Sequence, residues 1–126
     1  MPLLEKIKFD DKGLIPVIAQ DVKTNEILMF AWMNKEALEL SLKNNQAVYY
    51  SRSRQKLWFK GEESGYNQTI KEFYLDCDRD VLLIKIEQKG GISCHTGRKS
   101  CFFQKIEKNK ITITQNVLKK PTDIYG

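Results

Sequence analysis

Histidine occurs once in this chain of 126 residues, and cysteine and proline occur three times each. Three is an odd number and residues 1–6 have no signal-peptide core, so we expect no secretion and reduced thiols rather than a disulfide framework. No apolar run reaches the roughly 18 to 20 residues of a membrane span, so we expect a cytoplasmic protein. Repeats and interdomain linkers are also missing from the sequence, and its length favours a single domain over residues 1–126.

Apolar residues make up 41% of the chain and charged residues 29%, a composition typical of a globular domain. The net charge of +5 suggests anionic ligands. Part of that charge belongs to five lysines of a polar C-terminal segment, where a solvated edge is the simpler interpretation. These are Lys105, Lys108, Lys110, Lys119 and Lys120.

Apolar runs of strand length dominate the sequence, and only one segment has a clear helical pattern. Asn34 is a suitable N-cap for a helix over residues 35–44, in which Leu38 and Leu42 recur at i, i+4. Residues 21–25 resemble a hairpin loop. The pattern predicts an α+β, strand-rich domain with one main helix, an edge strand at 111–114 and a loose end at 119–121. The predicted strands are 14–20, 26–32, 47–51, 57–59, 68–76 and 81–88.

Three aspartates follow one another at alternate positions, at residues 76, 78 and 80. If the strand from Gln68 continues through them, Asp76, Asp78 and Asp80 share one face and Cys77 points to the other. Converging carboxylates repel one another unless a cation compensates, and Mg²⁺ prefers such oxygen ligands. The alternative is an acidic loop with Arg79 as its counter-ion.

The cysteines and the histidine all lie between residues 77 and 101. Three thiolates from Cys77, Cys94 and Cys101, with a fourth position open, would make a catalytic zinc site. With His95 as a fourth ligand the zinc would be structural, and buried cysteines without metal are a third possibility. Adjacent residues project apart, so we favour an uncoordinated His95 that transfers protons.

Two basic stretches are candidate anion sites, at residues 51–54 and at residues 96–100 between the last two cysteines. Neither has the spacing of a P-loop, so ATP hydrolysis of that type is not indicated.

Several blocks of the sequence together resemble the phosphoribosyl-AMP cyclohydrolase family of histidine biosynthesis. They run in order from about residue 8 to residue 103, and the extension 104–126 lies outside them. The blocks are Trp32-Met33-Asn34, Glu36-Ala37-Leu38, 50–54, 57–62, Ser64-Gly65, 76–80, Leu82-Leu83, 94–97 and 100–102.

The resemblance implies hydrolysis of the purine N1–C6 bond of 1-(5-phosphoribosyl)-AMP by zinc-activated water, with His95 as the proton shuttle. It implies one zinc and one magnesium ion per subunit, the zinc held by Cys77 of one chain with Cys94 and Cys101 of another. Asp76, Asp78 and Asp80 would bind magnesium. The implied architecture is an intertwined homodimer with a bent mixed sheet. The expected substrate contacts are Arg52, Arg54, Trp58, Lys60 and Arg98.

The basic charge also permits a different class of function, a small zinc-stabilised module that binds nucleic acid. Tyr49, Tyr50 and Trp58 lie near arginines in the sequence, and aromatic and cationic side chains together can bind single strands. The aspartate trio argues against it, because carboxylates repel phosphate unless a metal intervenes.

Overall fold

Eight strands and three α-helices make up the computed structural model, which describes residues 2–125. Only one of these helices is longer than five residues. The elements in chain order are α1 Pro2–Glu5, β1 Ile15–Asp21, β2 Ile27–Met33, α2 Lys35–Asn44, β3 Val48–Ser51, β4 Lys56–Phe59, β5 Gln68–Leu75, β6 Leu82–Gln88, a 3₁₀ turn Lys89–Gly91, β7 Gln104–Glu107, β8 Lys110–Ile113 and α3 Pro121–Tyr125.

Four strands form the main sheet, in the order β2-β1-β6-β5. Strands β1 and β6 run parallel, and the outer pairs are antiparallel, so the sheet is mixed. The predicted hairpin between the first two strands is confirmed: the Asp21 carboxylate accepts the N–H of Lys23 at 2.8 Å, and Asn25 has a φ of 63°. The prediction of a strand-rich α+β fold is therefore confirmed.

Helix α2 occupies the predicted residues 35–44. It begins at Asn34, whose side-chain oxygen accepts the N–H of Ala37 at 2.8 Å, and it ends at Asn45, which has a left-handed backbone. Ser41 ties the helix to β3, because its hydroxyl accepts the Val48 N–H at 3.0 Å and donates to the Val48 carbonyl at 3.2 Å.

The hydrophobic core lies between the sheet and α2. Side chains of β1, β2 and β6 that point to this side are almost fully buried, as the strand alternation requires. The most deeply buried apolar residues include Ile15, Val17, Leu28, Met33, Leu38, Ile84 and Ile86. At about 1.5–3 kcal/mol for each large apolar side chain, this cluster stabilises the sheet that supports the site.

The strand pairing of the C-terminal extension differs from what the sequence predicted. The predicted edge strand at 111–114 is present as β8, but it pairs with β7 in a separate two-stranded hairpin and not with the main sheet. The residues at 119–121, expected to be a loose end, lead into the short helix α3. Within residues 2–125 no helix combines the length and the apolar character needed to cross a membrane.

Candidate active site

An open cavity of about 710 Å³ lies between β2, the β3–β4 hairpin and the loop after β4. Its walls combine aromatic, cationic and acidic side chains with the histidine. The residues that line it include Phe30, Trp32, Tyr50, Arg54, Lys56, Trp58, Lys60, Glu62, Glu63, Ser64 and His95. Flat aromatic faces beside cations suit an aromatic ligand that carries anionic groups.

Two aromatic residues of β2 form one wall. Phe30 and Trp32 are two positions apart and therefore point to the same side of the strand. Their rings meet edge to face with centroids 5.6 Å apart. The Arg52 guanidinium lies 4.6 Å above the Trp32 ring, so this candidate substrate contact is held beside the cavity by stacking. The i, i+2 aromatic pair is a signal that could have identified Phe30 from the sequence.

Lys60 is an unusual member of the cavity wall, because its side chain is buried. Its ammonium donates to the Ser93 carbonyl at 2.8 Å and lies 5.5 Å from the centre of the Trp58 ring. Burial lowers the pKa of Lys60, while the thiols of Cys101 and Cys94 act in the opposite direction. A cation is thus placed between the cavity and the cysteine loop.

Two of the cysteines lie together. Burial, together with the charge of the neighbouring Cys94 thiol and a hydrogen bond to it, raises the pKa of the Cys101 thiol to about 12. The Sγ atom of Cys94 is 3.0 Å from the hydroxyl of Thr96. Such a pair, in which Cys94 is buried and Cys101 is half-buried with Lys60 nearby, fits a soft metal ion that displaces the protons and compensates the charge.

Hydrogen bonds to backbone carbonyls hold the cysteine loop, residues 93–102, against the start of β2. The Cys101 N–H donates to the Leu28 carbonyl at 2.7 Å, and the Ser93 hydroxyl donates to the same carbonyl at 3.1 Å. The Ser100 hydroxyl donates to the Ile27 carbonyl at 2.7 Å. The loop is therefore attached to the same strand that forms the aromatic wall.

The third cysteine is at the opposite end of the sheet. Cys77 lies in the turn that precedes β6, whereas Cys94 and Cys101 come after the end of β6. Seven strand residues separate the two ends, which corresponds to roughly 20 Å at the usual rise per residue. Cys77 is also exposed. One chain therefore does not bring its three thiols to a single ion.

The three aspartates do meet, but the geometry differs from the expectation. Strand β5 ends at Leu75, and residues 76–80 form a turn in which Arg79 has a φ of 64°. The strand predicted over 68–76 does not continue to Asp80, the condition on which a shared strand face was expected, because the turn closes with a hydrogen bond from the Arg79 N–H to the Asp76 carbonyl at 3.1 Å. Carboxylate oxygens of Asp76, Asp78 and Asp80 nevertheless lie within 4.8 Å of one another.

Within this aspartate turn, the pKa of Asp76 is lowered and the pKa of Asp80 is raised. Partial desolvation acts to raise the pKa of Asp76, but backbone N–H groups of Asp80 and Val81, at 3.0 and 3.1 Å, lower it overall. Desolvation and the negative charges of Asp76 and Asp78 raise the pKa of Asp80. Within residues 2–125 this is the only cluster of three such side chains close enough to share an ion, and its oxygen donors suit a hard cation.

The remaining predicted site residues lie in two different places. His95 is exposed and lines the cavity, next to Cys94 in the chain. Arg54 and Trp58 also line the cavity. Arg98 is engaged elsewhere: its Nε donates to the Gln115 carbonyl at 2.9 Å, and its guanidinium lies 4.0 Å from the centre of the Phe103 ring.

An aromatic and cationic cavity beside a pair of thiols, with a carboxylate cluster at the other end of β6, defines an enzyme-like site with places for metal ions. A family sequence profile described as phosphoribosyl-AMP cyclohydrolase matches residues 29–103. The chain therefore belongs to the phosphoribosyl-AMP cyclohydrolase family, hydrolases that serve a step of histidine biosynthesis.

Individual relatives agree with this assignment over the whole chain. The phosphoribosyl-AMP cyclohydrolase of Vesicomyosocius okutanii is 68% identical over 126 residues and covers 100% of both chains. That of Ruthia magnifica is 63% identical, with 99% of each chain covered. That of Burkholderia vietnamiensis is 57% identical, with 97% of this chain and 91% of the relative covered.

Proposed function

We propose that this protein hydrolyses the N1–C6 bond of the purine ring in 1-(5-phosphoribosyl)-AMP and so opens the ring. The observation that carries the proposal is the cavity of a family member, in which aromatic walls and cations surround an opening lined by His95 next to the cysteine loop. We also propose that residues 1–126 act as one domain.

The purine would bind against the aromatic wall. Trp32 and Trp58 offer ring faces of the size of a base, and stacking on them leaves the phosphates directed to the cations. Arg54 lines the cavity, and Arg52 stacks on Trp32 beside it. We propose that Arg52 and Arg54 bind the phosphates of the substrate. Lys60 and Arg98 remain predicted substrate contacts.

Zinc would be held by the thiolates of Cys94 and Cys101 with Cys77 of a second chain. When bound, zinc supplies a Lewis acid that makes water a usable nucleophile at neutral pH. The separation of Cys77 from the thiol pair along β6 supports a site divided between two chains, because one chain offers only two of three thiols. We therefore propose a homodimer.

Magnesium would bind to the oxygens of Asp76, Asp78 and Asp80. Because Cys77 lies between the first two, a partner chain that supplies its thiol also brings its aspartate turn to the same cavity. The cation there would bind substrate phosphate and compensate the carboxylate charge.

His95 would move the protons of the reaction. Its imidazole takes a proton from the water that adds to C6 and returns one to N1 when the C6–N1 bond breaks. An exposed histidine at the cavity can turn between these two positions, because the surrounding protein does not enclose its ring.

Purified protein is expected to open the ring of 1-(5-phosphoribosyl)-AMP, followed as a change in ultraviolet absorbance, and to contain one zinc ion per subunit. A strong chelator should abolish turnover, and added Zn²⁺ should restore it. Full activity of a metal-free preparation would contradict the zinc assignment. Salt-dependent oligonucleotide binding without turnover would favour the nucleic-acid module instead.

The substitution Asp78→Asn is expected to raise the Mg²⁺ concentration needed for half-maximal turnover by about 10-fold and to leave zinc content unchanged. It removes one charge, while the backbone hydrogen bonds to Asp76 that shape the turn remain. Asp123→Asn, an equal change at an exposed C-terminal position, is the control. An unaltered Mg²⁺ requirement in Asp78→Asn would show that the Asp78 carboxylate is not a magnesium ligand.

A further inference from the structure

One residue of the C-terminal extension differs from its neighbours in its environment. From Gln104 to Lys120 every residue is exposed except Gln115, which is half-buried. The matched family region ends at residue 103, so the extension is outside it. A half-buried glutamine in an otherwise exposed segment indicates that its amide has specific partners.

Those partners lie in the cysteine loop. The side-chain carbonyl of Gln115 accepts the N–H of Ser100 at 3.0 Å, and its main-chain carbonyl accepts Arg98 Nε at 2.9 Å. On the far side, its amide nitrogen lies 3.5 Å from Glu26, which is also paired with Lys99 at 3.2 Å. Gln115 thus connects the loop to the residue that precedes β2.

Residues before and after Gln115 are also hydrogen-bonded to the cysteine loop or to Phe103, the residue that follows it. The Thr114 N–H donates to the Phe103 carbonyl at 2.8 Å, and the Leu118 N–H donates to the Gly97 carbonyl at 2.8 Å. Gly97 has a φ of 89°, and a Cβ there would lie 1.8 Å from the Lys119 carbonyl oxygen. Only glycine allows the extension to pass so close to the loop.

Among the contacts of Gln115, the hydrogen bond with Ser100 lies next to a cysteine in the chain. Ser100 is 1% exposed, so its N–H has no access to water if Gln115 does not accept it. The next residue is Cys101, whose own N–H is fixed to Leu28. The Phe102 N–H donates to the Ser100 hydroxyl at 2.9 Å. The N–H groups of Ser100, Cys101 and Phe102 therefore all have acceptors.

We propose that Gln115 is a positioning residue for the zinc site: by accepting the Ser100 N–H it holds the peptide that leads into Cys101 and so orients the thiol. The inference rests on the proposed function, because it takes Cys101 as a zinc ligand. Residues that orient ligands without touching the metal typically change metal affinity by 10–100-fold when they are replaced.

The test uses the zinc-loaded, full-length protein and measures the rate at which zinc passes to a chromophoric chelator. Gln115→Met keeps the length of the side chain and removes both hydrogen-bonding groups, and we expect zinc to leave about 10-fold faster. Gln115→Glu keeps the acceptor for Ser100 but sets a second carboxylate beside Glu26, so it is combined with Glu26→Gln, and this double variant is expected to release zinc within about twofold of the wild-type rate. Asn116→Ala changes an exposed neighbour and should release zinc at the wild-type rate.

A cobalt-substituted protein separates positioning from general stability. Co²⁺ in place of zinc gives absorption bands that report the thiolate geometry, and these should change in Gln115→Met and return in the double variant Gln115→Glu with Glu26→Gln. Should Gln115→Met fail to fold, Gln115→Asn repeats the test, since its amide is one methylene too short to reach Ser100.

Wild-type zinc release in the folded Gln115→Met or Gln115→Asn variant would overturn the inference, and so would equal acceleration in Asn116→Ala. These results are distinct from failure of the proposed function. A wild-type protein that holds no zinc at Cys101 would overturn the proposed zinc site itself, whereas zinc-loaded wild type with an indifferent Gln115 overturns only the positioning role.

Discussion

A heterodimer of one Cys77→Ser chain and one Cys101→Ser chain is expected to regain about half of the wild-type activity, although each variant alone is inactive. In the heterodimer one site combines both defects. The other combines the intact Cys77 of one chain with the intact Cys94 and Cys101 of the other. Zinc content should follow the same proportion, with one ion per heterodimer instead of two.

The experiment requires heterodimers isolated through two different affinity tags, so that homodimers do not contribute. A heterodimer of Cys94→Ser and Cys101→Ser chains is the matched control. Both of its sites lack one thiol of the pair, so no activity should return. Equal recovery in both heterodimers, or none in the first, would show that the ligands are not divided between the chains as proposed.

The second large effect is expected for His95→Ala, which should lower kcat by about 10²–10⁴-fold with zinc content unchanged. The reason is that, in the proposed mechanism, the exposed imidazole at the cavity moves protons and the thiols hold the metal. Steady-state kinetics and metal analysis of the same preparation provide the measurement.

Free imidazole gives a further check on His95, because it can replace a missing proton carrier in an open cavity. Partial recovery of kcat in His95→Ala with added imidazole would support proton transfer. Loss of zinc together with loss of the folded state would instead identify His95 as a ligand, which is the alternative left open by the sequence.

Local signals in the sequence were sufficient for the elements of the main sheet and for α2. Both boundaries of α2 could be predicted because they depend on neighbouring residues: Asn34 caps the start of the helix, and Asn45 follows its last residue. Strands β1 to β6 follow apolar runs that the core requires on one side. Strand β7 was not predicted, since its residues are exposed and carry no apolar alternation.

The site was predictable in its chemistry and less so in its geometry. The aspartates converge through a turn that the alternation rule does not describe, because Arg79 adopts a positive φ. Burial of Lys60 between Trp58 and the Ser93 carbonyl depends on residues 33 positions apart. Long-range contacts of this kind, like that of Gln115 with Ser100, leave no periodic pattern in a single sequence.

The placement of Cys77 at the far end of β6 also bears on how the enzyme matures. A newly made chain can complete its sheet and its core without metal, because the core cluster consists of apolar side chains and only the Cys101 thiol packs against it. With the ligands divided as proposed, a lone chain offers only two thiolates and holds zinc weakly. Metal capture then follows the meeting of two folded chains, so zinc occupancy reports completed assembly and falls when the protein is diluted below the dissociation constant of the dimer.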